Sequence, residues 1–346
     1  MMDAQQAFAS TEPSPLDVED ERYWDDALRG MEAILAQRAM GSELGPAIAA
    51  PALVALDART TAPLVCLHCM TLKEVRVYDV ASVAIVVAVC VETNEVFASR
   101  ALPPPEPQPA DDAGEPEDGT TGVAFTVDLF EHPGLPRRPA TYDVVLIVRD
   151  RISNRVRVRF GPSPTSYQDP EVARFLEEAS RRPTPRAPWP RPGEPLPSFA
   201  ASASQAPLPR DLGIALAIDR VVMLRPDARA VLSGSFRLPL LPREITAPPP
   251  PSLPYAAVRG VTIVMTSADM AGPLVLPLAI PIAGPLETSS DGPVGVGYFA
   301  LDLLQLPAMW RRPRTHFFYA FSGAHAAGPA IMAFVTPDML PPAPAP

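Results

Sequence analysis

The chain has little of what marks the commoner chemistries. Its three cysteines, Cys66, Cys69 and Cys90, are too few in 346 residues for a disulfide framework and suit a reducing compartment. Lys73 is the sole lysine, a bias that genomic composition explains as readily as function. The four histidines, His68, His132, His316 and His325, lack the close helical spacing of a zincin or a binuclear copper site. There is no G-x-S-x-G elbow, no G-x-G-x-x-G fingerprint and no P-loop, so no cofactor is expected. No apolar run reaches the 18 or so residues of a membrane span. The N-terminal stretch MMDAQQAFASTEPSPLDVEDE has neither the basic start nor the apolar centre of a secretory signal, which makes the cytoplasm the expected compartment. With 39 acids against 29 bases the formal charge is -10, which gives no overall attraction to nucleic acid or an anionic membrane.

Proline, by contrast, is abundant at 47 residues, much of it in clusters. Proline removes a backbone donor and clashes inside helices and central strands, so the clusters mark loops and linkers between short elements. Residues 1–18 read as disordered. Over residues 19–41, Trp24, Leu28, Met31 and Leu35 lie on one face at helical spacing, and acids crowd the start, which predicts an amphipathic helix. From residue 50 to 165 the segments ALVALDA, PLVCLHCMTL, EVRVYDV and SVAIVVAVCV are β-branched and partly alternating, hence strands. Residues 102–122 interrupt them with prolines and acids and read as a solvated acidic loop. A short helix is expected over 169–181, with Asp169 as its cap and Pro170 at its first position. Residues 182–209 form a proline-rich linker or strap that includes Trp189. A second strand-rich region spans 210–336, and 337–346 is an expected disordered tail.

One sequence block occurs twice. Phe125 to Thr141 reads FTVDLFEHPGLPRRPAT and Phe299 to Thr315 reads FALDLLQLPAMWRRPRT, without gaps and with eight of seventeen positions identical. In each copy apolar residues alternate, which describes a strand with one buried face. Asp128 and Asp302 point away from that face, where a strand-end carboxylate accepts the N–H groups of the following turn. The Arg-Arg-Pro steps, Arg137, Arg138 and Arg311, Arg312, supply a guanidinium expected to pair with the aspartate of its own block. A strand–turn–strand pattern follows each copy. Upstream, SVAIVVAVC matches GVTIVMTSA, and LVCLHCM matches IALAIDRVVML by pattern.

Short strands at this density predict a mainly β chain of two tandem immunoglobulin-like or related β-sandwich domains, with an N-terminal helix and a short interdomain helix. In immunoglobulin-like sandwiches a tyrosine near the start of the penultimate strand bonds back to the preceding turn, and Tyr142 occupies that place. The second copy has His316 there. Asp302, Trp310, Arg311, Arg312 and His316 are the candidate ligand-binding residues of the second region, and of these Trp310 and His316 stand where the first copy has Pro136 and Tyr142. Phe125, Asp128, Arg137, Arg138, Tyr142 and Phe299 are expected to be structural. Cys66, His68 and Cys69 form the only compact soft-ligand group, but a strand puts Cys69 on the opposite face from the other two.

These features favour a non-enzymatic structural or protein-interaction role, through a protein partner or self-association. A carbohydrate or small-molecule binder using loops of the second region is the alternative, with Trp310 or Tyr298 as its aromatic platform. An enzyme or accessory subunit whose site is invisible to motifs is the third.

Overall fold

The computed structural model describes residues 44–56, 61–75, 80–101, 120–161, 198–240, 258–267, 270, 272–283, 287–289, 292–306, 312–336 and 339. The expected N-terminal helix, interdomain helix and disordered tail therefore lie outside the described residues, Met339 of the tail excepted, as do Trp189 and most of the acidic loop. The described chain is mainly β, and its α-helical stretches, Leu72–Val75 and Val80–Val83, are four residues each.

The chain divides into two compact units. In the first, the strands are β1 (Pro46–Ala49), β2 (Leu53–Ala55), β3 (Pro63–Thr71), β4 (Ala84–Cys90), β5 (Val96–Arg100), β6 (Thr120–Asp128), β7 (Ala140–Val148), β8 (Arg151–Ile152) and β9 (Val156–Gly161). One sheet has the order β1-β3-β6 and the other β2-β9-β7-β4-β5, with β8 paired to β7. A single apolar core takes Ile48, Leu64, Cys66 and Val127 from the first sheet and Val86, Tyr142, Leu146 and Phe160 from the second.

In the second unit the strands are β10 (Gly213–Ala217), β11 (Val221–Met223), β12 (Val231–Pro239), β13 (Val258–Thr266), β14 (Leu274–Pro281), β15 (Glu287–Ser289), β16 (Gly292–Asp302), β17 (Arg314–Ser322) and β18 (His325–Val335). Its sheets run β10-β12-β16-β15 and β11-β18-β17-β13-β14. Their shared core includes Leu232, Phe236, Phe299, Ile263, Phe318 and Phe334.

The two strand orders superimpose. In each unit the second short strand leaves the first sheet and pairs parallel with the last strand, β2 with β9 and β11 with β18. The final two long strands pair antiparallel, β7 with β9 and β17 with β18, as the pattern after each repeated block predicts. The duplication therefore extends well beyond the seventeen-residue block.

Continuous apolar runs in the sequence mark strands buried on both faces. In β4, Ala84, Val86 and Ala88 join the core, yet the alternate residues Ile85, Val87 and Val89 are buried as well. In β17, Phe317, Tyr319 and Phe321 are buried on the face away from Phe318 and Ala320.

Several sequence expectations are corrected. EVRVYDV is not one strand: its first two residues finish the turn Leu72–Val75 and its last opens Val80–Val83. Thr71 and Glu74 form a reciprocal cap, with the Thr71 N–H donating to Glu74 Oε2 at 2.9 Å and the Glu74 N–H to Thr71 Oγ1 at 3.3 Å. By strand order the counterpart of LVCLHCM is β12, while IALAIDRVVML spans β10 and β11. The first unit begins before residue 50, since Pro46–Ala49 pairs with β3. The acidic loop ends earlier than its composition indicates, with Thr120, Thr121 and Gly122 already in β6. Residues 198–209, linker by composition, lie along the second unit: Ser198 exchanges both backbone bonds with Ala300, and the Ser235 hydroxyl donates to the Pro207 carbonyl at 2.6 Å.

Candidate functional site

The repeated block begins as β6 in one copy and β16 in the other, and both strands end on the aspartate. Asp128 Oδ1 accepts from the Ala62 N–H at 3.1 Å and from the Phe130 N–H at 2.9 Å. Asp302 Oδ1 accepts from the Ala230 N–H at 3.3 Å and from the Leu304 N–H at 3.2 Å. Its Oδ2 also accepts from Gln305 Nε2 at 3.2 Å. Next to each carboxylate a backbone bond closes the same corner, Leu129 N–H to the Ala62 carbonyl at 2.9 Å and Leu303 N–H to the Ala230 carbonyl at 2.8 Å. Ala62 and Ala230 lead directly into β3 and β12. Each aspartate thus ties the end of one strand to the start of its neighbour, through amides that the turn would otherwise leave without an acceptor.

Among the described residues neither aspartate makes the expected pair with an arginine of its own block, and Arg311 lies outside them. Both carboxylates take amide donors instead, because the backbone N–H groups of the turn reach them first. Arg137 lies over the Phe130 ring at 4.2 Å, a cation–π contact, and Arg138 reaches Glu95 at 3.4 Å. Tyr142 is fully buried, its ring packed on Phe160 with centroids 5.3 Å apart. Its hydroxyl makes no backbone bond of the kind expected of a tyrosine at that corner among the described residues, and the Arg138 side chain of the preceding turn acts on it instead. Burial pushes the Tyr142 phenol well above its ordinary pKa.

Three of the candidate ligand-binding residues of the second unit are described. Asp302 is held by backbone, Arg312 is exposed, and His316 is fully buried against Phe334 at 5.3 Å between ring centroids. Trp310 and Arg311 lie outside the described residues. Tyr298, the second candidate platform, is half-buried in β16.

No protein-family profile matches the chain, and no curated protein is significantly similar to it.

The cysteine–histidine group falls as its spacing predicts. In β3, Cys66 and His68 face the core and Cys69 faces away. Among the described residues no three His, Cys, Asp or Glu side chains are placed to hold a metal ion. Burial pushes the Cys66 thiol up, and its Sγ donates a long bond to the Leu64 carbonyl at 3.7 Å. His68 is fully buried, and neither ring nitrogen has a hydrogen-bond partner among the described residues. Burial holds its pKa down to about 4, and the Arg151 charge adds to this while Glu74 opposes it. Arg151 itself pairs with Glu74 at 2.9 Å.

Three polar arrangements carried no sequence motif. Asp143, 4% exposed, receives Arg157 through both carboxylate oxygens, at 2.8 and 3.0 Å, and Arg155 at 3.5 Å. Asp143 and Arg157 are direct cross-strand partners, so the Arg157 fork is engaged by the protein's own carboxylate. Glu92, at the β4–β5 turn, accepts from the Thr141 N–H at 3.0 Å and from the Cys90 thiol at 3.3 Å. Asn154 accepts from the Ile48 N–H at 2.9 Å and donates to the Ile48 carbonyl at 2.8 Å, imitating a strand partner for β1. The first joins partners on adjacent strands. The other two depend on which strands the fold brings together.

Proposed function

We propose that the chain is a non-enzymatic structural or protein-interaction protein built from two duplicated immunoglobulin-like β-sandwich domains. The strand orders support the architecture. The second unit runs as A-B-E-D in one sheet and G-F-C-C′ in the other, with an extra short strand on G, and the described strands of the first unit follow the same order without D. One observation carries the functional reading: Asp128 and Asp302, polar side chains common to both copies of the block, serve the backbone of their own corner. Among the described residues, what the duplication preserved is a way of closing a sheet. Domains of this kind act through their surfaces and edges.

Chemical cross-linking of the full chain in its native host, followed by gentle lysis, tests this reading. A stoichiometric protein complex or self-assembly is the expected result. A lone monomer that binds a glycan or metabolite at one saturable site would replace it with the small-molecule alternative.

A further inference from the structure

We draw no further inference here: the strongest candidate, the apolar strip that Val221 of β11 and Ile331 of β18 leave exposed on the outer face of the second unit's larger sheet, carries nothing because nothing in the structure shows what covers it.

Discussion

Asp128 and Asp302 are the residues whose role is clearest, and each predicts a measurable loss. Replacing either by alanine leaves two buried or half-buried amides without their acceptor. Such a loss costs about 2 kcal/mol, to be read as a lower urea midpoint by circular dichroism. His68 supplies a pH dependence. Its folded pKa lies below the ordinary 6.5, at about 4, so the unfolded chain takes up its proton first as the pH falls. The stability held above about pH 6.5 should therefore drain away as the pH falls toward about 4, by roughly 3 kcal/mol. His68→Leu should remove that part of the slope and leave the protein at least as stable near neutrality, since it exchanges an unpartnered buried ring for an apolar group. Denaturant titrations at a series of pH values for both proteins decide it. At this scale the sequence showed which way side chains face. The alternation in β3 separates Cys69 from Cys66 and His68. It did not show partners: Asp143 meets Arg157, and Asn154 meets Ile48, across gaps in sequence that only strand pairing closes.

Among the elements, β12 and β16 depend on two glycines. A Cβ on Gly234 would lie 2.0 Å from the Phe299 ring, and one on Gly297 would lie 2.4 Å from Phe236. Gly234 and Phe299 are direct cross-strand partners, as are Phe236 and Gly297, so each ring lies over the opposite glycine. Gly234→Ala must displace a fully buried aromatic, and we expect a loss of about 2 kcal/mol in urea unfolding. The equivalent position in β3 is Cys66, where Phe125 is only half-buried. Elements built on strong alternation, β6, β9 and β16, were legible in the sequence. The segment EVRVYDV was misleading because β-branched residues outweighed a short local signal. The Thr71–Glu74 cap is that signal, and it turns the chain before a strand can extend. The match of LVCLHCM to IALAIDRVVML failed for a related reason: apolar composition does not distinguish a strand inside a sheet from one at its edge.

For the whole molecule, the two cores contain different residues, so Asp128→Ala and Asp302→Ala should act separately. Their combined cost should equal the sum of the single costs to within about 0.5 kcal/mol, and calorimetry of the double variant tests this. A large departure would mean that the corners communicate. The repeated block by itself determined that the chain is duplicated, because a gapless match of strand, turn and Arg-Arg-Pro step constrains the same backbone path twice. Composition determined that this path is mainly β, and continuous apolar runs such as Ala84–Cys90 marked strands buried on both faces. The tertiary structure alone decided what the block's polar residues are for. A carboxylate on a strand end can serve a ligand, a guanidinium or a turn, and only the approach of Ala62 and Ala230 selected the turn. It also decided what lies along the outer edge of β16, where β15 and Ser198 pair with it. Hydrogen bonding across a sheet depends on which segment arrives alongside, and that is a property of the folded chain.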